Sequence, residues 1–214
     1  MTTDPYPWPY DSPDGTVDGA TLAVVVCGWQ PHWVRMLDWH DEPIVALDGI
    51  RHLIDSLRSA GASVVWIRHG SAALPPHRPP SPLPAFDSEP WQLMPGPKHG
   101  DTIIDTPGFD AFLVEWTDLA LRGRHLTRLV MCGLGTETMI SSTTRSANDR
   151  GYECLTLTDA SVHNDRETGR AQLSSITMSG GIFGAIGASA DLIDSLSVPP
   201  IDPLTESAPI KEFS

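Results

Sequence analysis

Apolar residues follow two alternating patterns along this chain. Continuous runs rich in β-branched residues, Thr21 to Cys27 (TLAVVVC) and Ser63 to Arg68 (SVVWIR), predict strands buried on both faces of a parallel sheet. Between them, Ile44, Leu47, Ile50, Ile54 and Leu57 recur at helical spacing, with Pro43 suited to a first turn and Gly61 to a stop. Shorter runs predict strands at Asp101–Asp105, Arg128–Cys132, Glu153–Thr158 and Ile182–Ile186. The intervening periodicity predicts helices at Thr117–Arg122, Thr138–Arg150, Arg166–Ser179 and Ser189–Leu196. Strands alternating with helices imply a three-layer α/β/α domain around a six-stranded, mainly parallel sheet.

The pattern lapses in three places. Residues 1–19 hold Pro5, Pro7, Pro9 and Pro13 and are expected to form an extended arm. Residues 71–98 are proline-rich without periodicity, and the strand signal resumes straight after, which suits a long ordered loop inside one domain spanning 20–198. Residues 199–214 are expected to be an irregular tail.

Charge removes some partners. Fourteen basic against 27 acidic residues leave a net charge of −13, which repels phosphate backbones and anionic lipid, so no nucleic acid or membrane partner is expected. No run is long enough to span a bilayer, and the first residues lack the basic and apolar regions of a signal peptide. Cys27, Cys132 and Cys154 each lie in a strand-like run. Three buried thiols suit a reducing compartment better than a disulfide framework, and a cytoplasmic location is expected. Their spacing matches no zinc pattern, and no cofactor is expected.

In parallel sheets, ligands sit beyond the carboxyl ends of the strands, where strand order reverses. The segments after Cys27, Arg68, Asp105 and Cys132 therefore carry the candidate chemistry. Neither GxGxxG nor GxxxxGK[ST] occurs. After Cys132 the chain reads Gly133-Leu134-Gly135-Thr136-Glu137-Thr138-Met139-Ile140, a glycine-rich turn leading into a helix with Ile140, Thr143, Thr144 and Ala147 on one side. Amides at such a helix start attract negative charge, and Met139 stands where a nucleophile would be useful.

Taken with their order and spacing, four segments resemble the isochorismatase-like, or cysteine hydrolase, superfamily. They are Thr21 to Gln30, Asp101 to Phe112, Leu129 to Tyr152, and Thr158-Asp159-Ala160. The resemblance covers roughly residues 20–197 and implies a Rossmann-like fold, a small-molecule ligand and a homo-oligomer, a dimer or tetramer. It also implies an aspartate base, a lysine and a cysteine nucleophile. Those positions fall on Gly28, Thr106 and Met139. A thioether has no anionic form, glycine supplies no base, and threonine carries no charge, so the family route to amide hydrolysis is not expected. Isochorismatases proper also lack the cysteine but keep the aspartate. Nicotinamidases of the family hold a metal through several histidines, where this chain has His69 alone, so no metal is expected. The resemblance further implies a cis peptide at Leu134–Gly135.

The remaining candidates are read from position. His69 and Glu137 are candidate relocated acids or bases; their structural readings are a loop anchor and a helix-dipole carboxylate. Trp29, Gln30, Trp33, Thr136, Thr138 and Met139 are candidate substrate-binding residues, and Trp29, His32, Trp33 and Trp39 form either a wall for a planar ligand or packing for the proline-rich loop. Cys27 precedes Gly28 in a strand and is expected to point away from the site. His163, after the fifth strand, has no place that the sequence fixes. Two functions fit: a diverged enzyme acting on a small molecule without a cysteine nucleophile, which the retained Gln30, Thr136 and Glu137 favour, and a catalytically inactive binding module or partner subunit of an active relative.

Overall fold

A computed structural model of the chain describes residues 17–36, 43–71 and 83–196. Most of the expected arm, the centre of the proline-rich loop, the tail and Trp39 lie outside the described residues. The strands are β1 (Leu22–Cys27), β2 (Ser63–His69), β3 (Thr102–Thr106), β4 (Arg128–Leu134), β5 (Glu153–Val162) and β6 (Ala185–Gly187). All five strand pairs are parallel, and the order is β3-β2-β1-β4-β5-β6. The chain runs outward from β1 to β3, then returns to β4 on the other side of β1. The order therefore reverses between β1 and β4, and the crevice at their carboxyl ends is where this architecture places ligands.

The helices are α1 (Pro31–Met36), α2 (Pro43–Ser59), α3 (Glu115–Arg122), α4 (Ser141–Asp149), α5 (Arg166–Ile176), the short kinked α6 (Met178–Gly181) and α7 (Ser189–Ser195). Side chains alternate across the sheet and divide the core in two. One half holds Ala23, Val25, Cys27, Val65, Ile67 and Met131 against Leu121 of α3 and Ala147 of α4. The other holds Leu22, Val24, Val26, Val64 and Trp66 against α2 and against Leu192 of α7. On α2, Ile50, Leu53, Ile54 and Leu57 are buried along one stripe. Four such side chains contribute on the order of 6–12 kcal/mol of transfer free energy, well above the ~1 kcal/mol that Gly49 costs mid-helix.

Several boundaries differ from expectation, each for a local reason. The helix expected over Arg166–Ser179 ends at Ile176 because Ser179 (φ 52°) and Gly180 (φ 89°) leave the helical region. The last strand begins only at Ala185, after Gly184 at φ 120°. Strand β5 continues to Val162 because, past a register shift, Ser161 and Val162 pair with Gly133 and Leu134. Periodicity does not predict helix α1, since Trp33 is its single buried residue.

The start of the β4–α4 helix also differs. Thr136–Ile140 form one wide π-turn before α4 begins at Ser141. Such turns recur at functional sites. Here the wide turn buries both Met139 and Ile140, which are adjacent in sequence. No cis peptide occurs among the described residues, so the Leu134–Gly135 bond is trans, contrary to expectation. Positive φ at Gly133 (116°) and Gly135 (78°) reverses the chain there instead.

Candidate functional site

The crevice between β1 and β4 brings Gly28, Gly135 and Met139 together. Gly28 has φ 64°, and a Cβ built on it would lie 2.7 Å from Met139 Cε, 3.1 Å from Met139 Sδ and 2.9 Å from the Leu134 carbonyl oxygen. A Cβ on Gly135 would come closer still to the same methyl group. The Met139 thioether thus occupies the volume that any side chain at position 28 would enter. It is 0% exposed. Met139 and Gly28 are geometrically coupled, each filling or vacating space for the other.

Cys27 corrects an expectation. It lies in the same half of the core as Met139, Ile140 and Trp33, on the α4 side of the sheet. Strand alternation fails as a guide because Gly28 turns left-handed directly after it, so consecutive positions 27 and 28 both look toward α4. Burial pushes the Cys27 thiol up to about 12, with Asp110 adding to the rise and a Thr143 hydrogen bond opposing it. Burial likewise pushes Cys154 up to about 12 and raises Cys132. All three thiols are protonated at neutral pH and are not nucleophiles.

Gln30 is fully used by the fold. Its Nε2 donates to the carbonyls of His69 (3.1 Å) and Trp91 (2.7 Å), and its Oε1 accepts from the His69 N–H (2.9 Å). It clamps the end of β2 and the proline-rich loop to the β1 turn. Trp29 packs in the other half of the core, against Trp66, and does not meet Met139. Its indole Nε1 donates to the Pro95 carbonyl, and its own carbonyl accepts from the Met94 N–H. The Trp29 geometry therefore matches packing for the proline-rich loop. Trp33 lies on the Met139 side, tilted against Phe109.

His69 is buried at the end of β2, with Nδ1 2.9 Å from the Gly108 carbonyl. That contact makes Nδ1 the protonated nitrogen and leaves Nε2 with a lone pair, for which no partner stands among the described residues. Burial lowers its pKa to about 4, against a smaller rise from the Gly108 bond, so the ring is neutral at pH 7. Next to it on β3, the Thr106 hydroxyl donates to the Asp110 carbonyl (2.7 Å). Asp110 is not among the candidates read from sequence. Its carboxylate accepts from the Phe112 N–H (2.8 Å) and from the Ser146 hydroxyl (2.5 Å), joining the β3 turn to α4. The Ala111 N–H donates to Thr143 on the same helix (3.1 Å).

Glu137 also has a specific task. Its Oε1 accepts from the N–H groups of Asn164 (2.7 Å) and Asp165 (3.0 Å), and the Asp165 carboxylate in turn accepts from Thr168 N–H (2.7 Å). Glu137 Oε1 thus fastens the start of α5, while the carboxylate stands in the first turn of its own helix with Oε2 buried and without a partner among the described residues. Several amides of the turn itself are engaged internally. Gly135 N–H donates to Val162, and both Thr138 and Ile140 donate to the Gly135 carbonyl. Thr138 is half-buried, with its hydroxyl 3.4 Å from that same carbonyl, while the buried Thr136 hydroxyl has no partner among the described residues. His163 packs on α5, where a Cβ on Gly169 would come within 2.5 Å of its Cβ and Cγ. No group of three or more His, Cys, Asp or Glu side chains among the described residues is placed to hold a metal ion.

An open parallel sheet in this order, with a strand–turn–helix at the switch point, defines a doubly wound α/β protein. The isochorismatase domain family matches residues 22–187, and the chain belongs to that family. Among curated proteins it is similar to the isochorismatase family protein YwoC of Bacillus subtilis, 36% identical over 73 residues that span 34% of this chain and 39% of that protein. It is also similar to the ureidoacrylate amidohydrolase RutB of Methylobacterium radiotolerans, 27% identical over 215 residues, covering 89% of this chain and 76% of that protein. Among solved structures, a cysteine hydrolase from Pseudomonas syringae superposes with a TM-score of 0.72 at 20% identity, covering 91% of this chain and 98% of that one. An isochorismatase family protein from Burkholderia thailandensis superposes with a TM-score of 0.70 at 22% identity, covering 84% and 97%. No helix among the described residues is long and apolar enough to cross a membrane.

Proposed function

We propose that this chain is a non-hydrolytic member of the isochorismatase family whose reaction centre is closed by its own Met139, and that it acts as a binding or partner subunit. The observation that carries this is the Met139 thioether packed on Gly28 and Gly135 with no exposure. Supporting it, Gln30 has its hydrogen bonds satisfied within the fold, Glu137 Oε1 is held by two backbone amides, and the three described thiols are held protonated. Without a thiolate, a nearby base or a cation at Thr106, no group at the crevice attacks a carbonyl. The test is hydrolysis by the purified chain of ureidoacrylate, the substrate named for RutB, and of N-carbamoylsarcosine and nicotinamide. No release of ammonia above the protein-free rate is expected. Turnover by the wild-type chain that an active-site substitution abolishes would overturn the proposal.

A second reading, a diverged enzyme on a small molecule, rests on one observation. His69 Nε2 and Trp33 Nε1 are buried without partners on the Met139 side of the sheet, an acceptor and a donor left over by the packing. Its test is a ligand whose binding shifts the His69 ring resonances in NMR spectra and whose turnover is lost in His69→Gln. Unchanged resonances across a small-molecule library would remove this reading.

A further inference from the structure

On the side of β4 away from the β1 crevice, a second polar wedge forms where the π-turn meets the end of β5 and the start of α5. The two segments run side by side. Gly133 and Leu134 pair with Ser161 and Val162, Gly135 N–H donates to the Val162 carbonyl, and Glu137 Oε1 takes the amides of Asn164 and Asp165. The His163 ring is held against α5, where glycine at position 169 leaves room for it. Four polar atoms of this wedge are buried and have no hydrogen-bond partner among the described residues: Thr136 Oγ1, Glu137 Oε2, Ser161 Oγ and His163 Nδ1. Thr136 is 0% exposed and Ser161 4%. Burying a polar atom without a partner is costly, most of all a carboxylate oxygen. The described residues hold seven such orphaned side-chain atoms, and four of them fall on these two adjoining segments, which marks a site rather than scattered gaps in the packing.

The kinds of atom select the occupant. The nearby amides are already spent, those of Asn164 and Asp165 on Glu137 Oε1 and that of Thr168 on Asp165. What is left is a carboxylate oxygen, two hydroxyl oxygens, and an imidazole nitrogen that carries a lone pair in the tautomer protonated at Nε2. All four accept hydrogen bonds, and the Glu137 and Asp165 carboxylates add negative charge. We propose that this wedge binds one small monovalent cation, ammonium or potassium. One free carboxylate oxygen balances a single charge. Calcium and magnesium call for more oxygen ligands, and zinc for three or four His, Cys, Asp or Glu side chains, of which no group of three is placed for a metal among the described residues. Because all four atoms are buried, the occupant is a free ion rather than the amine of a larger molecule. Ammonium brings four N–H donors to four acceptors. Potassium takes the oxygens and gains less from the imidazole, which suits softer metals. In either case the ion ties the turn that carries Met139 to β5 and α5, and the site stands whether or not the crevice itself is closed.

The test is urea unfolding of the full chain at one fixed ionic strength, with tetramethylammonium chloride replaced stepwise by ammonium or potassium chloride. An ion bound only by the folded chain raises the folded-to-unfolded ratio saturably, about 11-fold when it is present at ten times its dissociation constant. A saturable gain with ammonium, potassium or both is expected. A gain with ammonium alone assigns the imidazole as a fourth acceptor, and an equal gain with potassium assigns a site built on the oxygens. Ser161→Ala and Glu137→Gln are expected to lose the gain, while Asp194→Asn, which removes an exposed carboxylate on α7, is expected to keep it. The same stability in all three salts, a gain with magnesium chloride alone, or a gain that survives both Ser161→Ala and Glu137→Gln would each overturn the proposal.

Discussion

The coupling between Met139 and Gly28 makes a quantitative prediction. Met139→Ala removes Cγ, Sδ and Cε from a fully buried site, which costs about 3 kcal/mol, within the roughly 2–5 kcal/mol range for such truncations. Gly28→Ala carries two penalties. The left-handed φ of 64° costs about 1–2 kcal/mol for a residue with a Cβ, and the new methyl meets Met139 at 2.7 Å, an overpacking worth about 1–3 kcal/mol. If the two sites were independent, the double variant would lose about 6 kcal/mol. They share one volume, so once Met139 is truncated only the backbone strain and the 2.9 Å approach to the Leu134 carbonyl remain at position 28. The double variant is therefore expected to be about 1–2 kcal/mol more stable than the sum of the single effects. Urea unfolding of the four proteins, followed by the fluorescence of the buried Trp29, Trp33, Trp66 and Trp91, measures the cycle. Additivity within about 0.5 kcal/mol would refute the packing described for the crevice.

Two further predictions concern the candidate acid–base residues. Glu137→Gln replaces a charged acceptor for the Asn164 and Asp165 amides, and a loss of about 1–2 kcal/mol with faster hydrogen exchange over 164–168 is expected; unchanged protection there would contradict the clamp. For His69, the folded pKa of about 4 lies below the ordinary 6.5, so the unfolded chain binds the extra proton between those values. Its contribution to stability is neutral above pH 6.5 and falls by about 3 kcal/mol as pH drops from 6.5 to 4, a slope that His69→Gln should remove from the urea midpoints.

The sheet was legible because Leu22–Cys27, Ser63–His69 and Arg128–Leu134 are buried along nearly their whole length, and burial on both faces leaves a continuous apolar run. The placement of Met139 at the switch point followed from the same runs. The side-chain roles did not follow, because their partners are far away in sequence. Gln30 bonds to residues 39 and 61 positions on, Glu137 to residues 27 and 28 positions on, and Asp110 to Ser146, 36 positions on in α4. No local pattern encodes such pairs. Strand periodicity misplaces Cys27 for the opposite reason, since it does not extend past a glycine whose positive φ ends it. Trp29 is a candidate for the ligand wall because of its position after β1, yet past the left-handed turn at Gly28 it packs on the α2 side with Trp66.

On the proposed reading, the closed crevice is not one substitution away from a working one. A cysteine at position 139 would inherit the environment of Met139: no exposure, a glycine where a base would stand, and a threonine hydroxyl already donating to Asp110. Thiols in comparable surroundings in this chain show the result, since burial pushes Cys27 up to about 12. Desolvation acts on any thiolate placed there, and nothing at the crevice offsets it. Met139→Cys alone is therefore expected to resist iodoacetamide at pH 8 in the folded state, with alkylation at position 139 appearing only in urea. An aspartate at position 28 cannot be added first, because the Met139 methyl fills its path. Both changes must be made together, and only the Gly28→Asp, Met139→Cys pair opens room for a carboxylate beside a sulfur. Peptide mapping by mass spectrometry reads the modification site. Prompt alkylation of the introduced thiol in the Met139→Cys single variant at pH 8 would mean that the crevice admits solvent and ions, and the plug assigned to Met139 would have to be abandoned.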